Sequence, residues 1–249
     1  MTDYVALNIK QVLVAIQSTD RGSEIADIAA QLAELFGVSL RARFVRDPDM
    51  INLAAMPFGR RIDMRTGALE AFQPEAMERA LTVHADAAHK ALAASAAARN
   101  LQWSFETVTA PMLEAFAQLC SEPGLIVATL DAEMGAKALK RRLADLLAHV
   151  PDESPVLLLQ PGRGFRGNVA AAPNNRVMAY AVRFGEAFGR PVIQMGRVER
   201  ERPAGASGVR ALVGPFGYCS LFIASRENAA LAAEAAEAWN CHILITEAG

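Results

Sequence analysis

VLLLQPGRGFRGN, residues 156–168, decides how the chain divides. Gly162, Gly164 and Gly167 have the spacing of a dinucleotide-binding fingerprint and follow an apolar run that reads as a strand. In a dinucleotide fold the third glycine sits in the first turn of a helix, whose free N–H groups face the phosphates. Here the next residues are NVAAAPNN, with Pro173 six positions after Gly167 and the apolar content of a short strand between them. The acidic residue expected at the end of a second strand is displaced as well, because Glu186 falls inside the following helical run, ahead of RPVIQM. The segment 161–168 therefore reads as a flexible glycine-rich linker, and it joins two units, 1–160 and 169–249.

The first unit alternates short β-type runs with longer helical ones. QVLVAI at 11–16 is a near-continuous apolar run of the kind a strand buried on both faces requires. A helix follows in SEIADIAAQLAELFG, with Ser23 as N-cap, Ile25, Ile28, Ala29, Leu32 and Leu35 on one face, and Gly37 as the C-terminal cap. SLRARFV at 39–45 alternates apolar residues with arginine and is expected nearer a sheet edge. From Asp47 to Pro74 proline and glycine break the pattern into a long irregular connection. An alanine-rich helix at about 75–99, a strand in WSFETVTA, a helix at 112–120, the strand LIVATL, a helix at 135–149 and the strand PVLLLQ complete the unit. Five strands alternating with helices imply a parallel sheet with helices on both faces.

The second unit echoes the first. AELFGVSL at 33–40 matches GEAFGRPV at 185–192, LIVATLD at 125–131 matches LFIASRE at 221–227, and PVLLLQ matches CHILITE at 241–247. The order is preserved, while the long middle helix and at least one strand have no counterpart.

Composition narrows the function classes. With 25 basic and 27 acidic residues the formal charge is -2, so no net field favours nucleic acid or an anionic membrane. MTDYVALNIK does not read as a secretory signal, and no apolar run approaches the roughly 18 residues that a spanning helix needs. Cys120, Cys219 and Cys241 are odd in number, far apart and outside any C-x-x-C pairing, which argues against a disulfide framework and a zinc site and favours a reducing cytoplasm.

Taken together, VLVAI, the amphipathic helix ending in LFG, the second strand with its insertion, the long helix, LIVATL and PVLLL make residues 1–160 resemble a universal stress protein domain. Residues 169–249 look like a truncated, degenerate second such domain, as in tandem members of that family. The resemblance implies a five-stranded parallel, Rossmann-like α/β sheet, followed by a second truncated α/β domain, and a cytoplasmic stress-response protein that forms a homodimer.

Nucleotide-binding members carry glycine, two residues, glycine, nine residues, glycine and serine or threonine after the fourth strand. Anchored on Gly135, that signature meets Ala132, Asp145 and Leu146, so one position of four matches. A Cβ blocks close backbone approach to phosphate, and Asp145 puts a negative charge where a triphosphate should lie. The family's aspartate after the first strand is replaced by Gln17, followed by Ser18, Thr19 and Asp20. The resemblance therefore implies a regulatory or scaffold protein that acts by binding rather than catalysis and holds no cofactor. Two alternatives stay open: an ATP or AMP sensor using Gln17, Ser18, Thr19, Asp20, Thr129 and Gly135, and an enzyme of the adenine-nucleotide hydrolase-like superfamily. In the second unit, Asn174 and Asn175 of APNN are possible polar contacts.

Further candidates come from charge and softness. Lys137, Lys140 and Arg141, with Arg142, could hold an anion, although such runs are commonly solvated helix faces. Arg60, Arg61 and Arg65 beside Met50, Met56, Phe58 and Met64 make the 47–74 insertion a candidate protein-binding flap. His84 and His89 lie five apart, so they share a helix face poorly and make a metal site unexpected. Cys219 and Cys241 read as buried structural cysteines.

Overall fold

The computed structural model describes residues 7, 9–16, 22–56, 60–62, 67, 69–71, 74–119, 123–129, 136–160, 162–195 and 219–247. Continuous apolar runs form the central strands β1 (Gln11–Ile16), β6 (Leu125–Thr129) and β7 (Val156–Leu159). With them come α1 (Gly22–Phe36), β2 (Ser39–Arg46), α2 (Pro48–Ala55), β3 (Arg60–Ile62), β4 (Leu69–Ala71), α3 (Pro74–Ala98), β5 (Trp103–Thr109), α4 (Met112–Leu119) and α5 (Ala136–His149). The second half supplies β8 (Asn168–Ala171), α6 (Asn175–Phe188), β9 (Val192–Gln194), β10 (Cys219–Ser225), a 3-10 turn (Arg226–Asn228), α7 (Ala229–Trp239) and β11 (His242–Thr246).

The sheet has nine strands in the order β5-β2-β1-β6-β7-β11-β10-β8-β9, in place of the five expected. All neighbours are parallel except β7 and β11, which pair antiparallel with Leu157 opposite Leu244. The reason lies in β7. VLLL is buried along its whole length, and a five-stranded sheet would leave its backbone N–H and C=O groups as an open edge. β11, equally apolar, closes that edge. Outward from this junction, β7-β6-β1-β2 on one side answers β11-β10-β8-β9 on the other, so the halves are related by an approximate two-fold axis through the sheet. The echoed strings fall on corresponding strands, LIVATLD with β6, LFIASRE with β10, PVLLLQ with β7 and CHILITE with β11.

Right-handed crossovers place α1, α3 and α6 on one face and α4, α5 and α7 on the other. α1 lies against α3, α4 against α5, and α5 against α7 across the junction. Phe36 of α1 meets Phe184 of α6 with ring centroids 6.2 Å apart on the first face. Leu81, Ala85, Ala88, Leu92 and Ala96 are the buried stripe of α3, so one face of its alanine-rich length packs within the chain.

β2 lies near the edge, as expected, between β1 and the edge strand, and Arg43 is buried in it with its guanidinium satisfied: Nε donates to Glu106 Oε1 at 2.8 Å and Nη1 to the Ala115 carbonyl at 2.9 Å. The edge is β5, where half-buried and exposed positions largely alternate. The connection over 47–74 is not irregular throughout, since α2 lies against α3 and β3 pairs with β4; Asp47 Oδ1 accepts from the Asp49 N–H at 2.9 Å and caps α2.

A further correction concerns the linker, which is packed rather than loose. Phe165 is its one large apolar residue, and its ring stacks on Phe188 with centroids 4.1 Å apart and lies 4.5 Å from the His242 ring. Arg190 Nε donates to the Phe165 carbonyl at 2.8 Å, the Gly162 N–H donates to the Glu24 carboxylate at 3.0 Å, and Ser220 Oγ donates to the Gly167 carbonyl at 2.9 Å. Gly162 and Gly164 have φ of 76° and 52°, so these glycines serve left-handed backbone turns, and the chain then enters β8, a strand.

Candidate functional site

In an open α/β sheet, ligands bind beyond the carboxyl ends of the strands where the order reverses. This sheet has two such points. The first lies between β1 and β6: β1 leads to β2 on one side and β6 to β7 on the other. Val14 pairs with Val127, so by the same register Ile16 and Thr129 end level at the mouth. Thr129 is half-buried there. The other residues expected at this mouth, Gln17, Ser18, Thr19, Asp20 and Gly135, lie outside the described residues, as does Phe58 of the insertion.

The second reversal lies between β8 and β10, and several side chains at its carboxyl end are engaged within the chain. Asn174, considered above as a ligand contact, is the N-cap of α6: its side-chain oxygen accepts from the N–H groups of Arg176 at 2.8 Å and Val177 at 3.2 Å. Two of the donors that a helix N-terminus would offer to a phosphate are thereby used. Directly after β11, Glu247 accepts from the Tyr180 hydroxyl at 3.3 Å and pairs with Arg176 Nε at 3.4 Å. Burial, and then the neighbouring Glu247 charge, push the Tyr180 hydroxyl far above its ordinary pKa. The hydroxyl therefore stays protonated and donates. Below them, Asn228 Nδ2 donates to Ser225 Oγ at 3.2 Å.

The cation that follows β10 is turned away from this mouth. Arg226 Nη1 donates to the Leu147 carbonyl at 3.0 Å and pairs with Asp152 at 3.2 Å, and Nη2 donates to the carbonyls of Val150, Pro151 and Ser154. It thus caps the C-terminus of α5, where unpaired carbonyls and the helix dipole favour a cation. Among the described residues at the second crevice, two helix donors are taken by Asn174, Arg176 is paired with Glu247, and Arg226 is held at the end of α5.

The basic and apolar candidates do not converge. Lys137 and Arg141 are exposed on α5, while Lys140 Nζ pairs with Glu234 of α7 at 2.8 Å. Lys140 therefore ties two helices together across the junction. Met56, 42% exposed, follows α2 on the α3 side, and Arg60 and Arg61 lie in β3. The anion set and the insertion set stand apart, on elements of opposite faces.

The histidines and cysteines take structural places. The His89 ring packs between those of Trp103 and Phe105, with centroids 5.4 and 5.1 Å away, and His149 Nδ1 lies 2.7 Å from the Asp145 carbonyl oxygen. His242 is fully buried, and its Nδ1 accepts from the Gln160 N–H at 2.9 Å, which leaves the proton on Nε2. Nε2 makes no well-formed hydrogen bond, and the Gly164 carbonyl offers it partial compensation. Burial pulls this imidazole down to about 4, with the nearby Arg163 charge adding to the effect. Cys219 and Cys241 are buried, in keeping with the sequence, but their thiols also touch, which a separation along the chain does not reveal. Among the described residues, no group of three or more His, Cys, Asp or Glu side chains gathers to hold a metal, and no helix is long and apolar enough to cross a membrane. Nothing in the sequence points to the Tyr180–Glu247–Arg176 cluster, because Glu247 lies 67 positions after Tyr180.

The mostly parallel α/β fold, flanked by helices, matches that of a solved universal stress protein. A universal stress protein from Archaeoglobus fulgidus DSM 4304 superposes with a TM-score of 0.59 at 9% identity, covering 96% of both chains. A protein of the universal stress protein family from Burkholderia pseudomallei matches at 19% identity and a TM-score of 0.39, over 60% of this chain and 95% of that one. A universal stress protein in complex with cAMP matches at 16% identity and a TM-score of 0.34, over 61% and 96%. No protein-family model and no curated protein sequence matches the chain.

Proposed function

We propose that this chain is a universal stress protein-like regulatory protein that works by binding, and that it unites two family-type units, 1–160 and 169–249, in one polypeptide. The A. fulgidus structure supports the tandem reading, because equal coverage of both chains means that one fold of this length is matched throughout. The observation that supports a reading without tight nucleotide binding is the second crevice, where the Asn174 cap and the Glu247 contacts to Tyr180 and Arg176 engage groups that a phosphate would need. At the first crevice the glycine signature is degraded at three of four positions. We accordingly expect no tight ATP binding and no resident cofactor.

The insertion is the proposed partner surface. Met56 and Ile62 of the insertion are 42% and 60% exposed, and Val83 on α3, against which α2 packs, is 63% exposed. A homodimer must use a surface other than the β7 edge, which β11 already occupies. The reading is tested by mass spectrometry of the small molecules released on denaturing the freshly purified protein, together with calorimetric titration of ATP, ADP and AMP. The expected result is no stoichiometric nucleotide and no dissociation constant tighter than about 0.1 mM, or about 5.5 kcal/mol. A retained nucleotide, or tighter binding, makes the protein a nucleotide sensor instead.

A further inference from the structure

The one reactive pair that the proposed function does not use lies at the start of β10. Cys219 and Cys241 are 4% and 1% exposed, and their thiols are close enough to perturb one another. Leu221 is level with His242 in the β10–β11 ladder, so Ser220 is level with Cys241 and Cys219 is one diagonal step away. With strands about 4.8 Å apart and a rise of about 3.3 Å per residue, that step sets the two Cα atoms about 6 Å apart, inside the range of about 4.4–6.8 Å that a disulfide spans.

In an unbroken strand Cys219 would face away from Cys241. The register of β10 against β8 shifts between Cys219 and Leu221, which interrupts the alternation and lets the thiols meet. Each thiol also lies near a backbone carbonyl: Cys219 Sγ is 3.3 Å from the Leu221 oxygen and Cys241 Sγ 3.7 Å from that of Ala235.

We propose that Cys219 and Cys241 are an oxidisable dithiol, converted to an intrachain disulfide by exchange with a low-molecular-weight disulfide. The Cys219 thiolate attacks one sulfur of the small disulfide and expels its other half as a thiolate. Cys241 then gives its proton to that thiolate and attacks Cys219 Sγ, releasing the second half, so two protein thiols are oxidised and one small disulfide becomes two thiols. The order of attack follows from the pair: the side-chain interaction with Cys241 draws the Cys219 thiol below its ordinary pKa, and holds Cys241 above its own. The new bond would clip the start of β10 to the entry of β11, beside Gln160 at the carboxyl end of β7.

Refolding the full chain from urea in oxidised glutathione gives the reagent access to every thiol before the core closes. Native-like circular dichroism is verified, free thiols are alkylated, and peptides are mapped by mass spectrometry. The expected product links the Cys219 and Cys241 peptides, two hydrogens lighter than their sum, with Cys120 not joined to either. Cys219→Ser abolishes the linked species, and the oxidised wild type unfolds at a higher urea midpoint than the reduced form. Refolded protein in which both cysteines are alkylated or carry glutathione, or in which either is linked to Cys120, overturns the proposal.

Discussion

Single buried polar residues set the acid limit and local stability of this sheet. His242 titrates at about 4 in the folded chain, against about 6.5 when unfolded. Between these values the unfolded state binds a proton that the folded state refuses, so stability is complete above about 6.5 and falls as the pH drops toward 4, by up to about 3 kcal/mol. Urea unfolding at pH 7 and 4.5 should show a smaller acid loss for His242→Leu than for wild type; equal losses would exclude this role. Arg43 is the other such residue. Arg43→Ala removes buried packing and leaves the Ala115 carbonyl without its donor, and should cost about 2–3 kcal/mol in denaturant unfolding, whereas a change within about 0.5 kcal/mol would show the contacts to be weak. The sequence marks both residues only as polar letters in apolar runs. An arginine in a strand reads as an edge position until its partners, which lie 63 and 72 positions away, are known.

At the level of elements the sequence is far more legible, because helix and strand periods are local. The strands QVLVAI, LIVATL and PVLLLQ, the Phe-Gly helix ends and the long alanine-rich helix all stand where periodicity and capping place them. Gly37 and Gly189 both have left-handed backbones, at φ of 65° and 60°, and both close a helix. The same echo contains a glycine of a different kind. A Cβ on Gly185 would lie 2.5 Å from Val192 Cγ2 and 2.9 Å from the Arg190 carbonyl oxygen, so α6 approaches the chain entering β9 too closely for any side chain. Gly185→Ala should therefore destabilise by about 1–3 kcal/mol despite alanine's better helix propensity, and a stabilised variant would show that the contact yields. What periodicity could not supply was the ordering of PGRGFRGN: three glycines argue for freedom, and one buried Phe165 outweighs them.

For the molecule as a whole, strand order is set by pairings between distant segments, and there the sequence runs out. Two echoing units could sit side by side as separate sheets, or join. The choice is made by β7 and β11, both buried throughout and each needing a partner along its edge. Their union produces one nine-stranded sheet with two crevices, and at one of them Asn174, Tyr180 and Glu247 are engaged with the chain's own groups. The binding account rests on that architecture, so the junction is the place to test it. Leu157 and Leu244 are directly opposite in the antiparallel pair and both fully buried. The double variant Leu157→Cys/Leu244→Cys, in a chain whose three native cysteines are replaced, should form a cross-link on oxidative refolding. The account predicts a linked Leu157→Cys/Leu244→Cys peptide within a single chain at monomer mass; absence of the link, or a link found only between two chains, would contradict it.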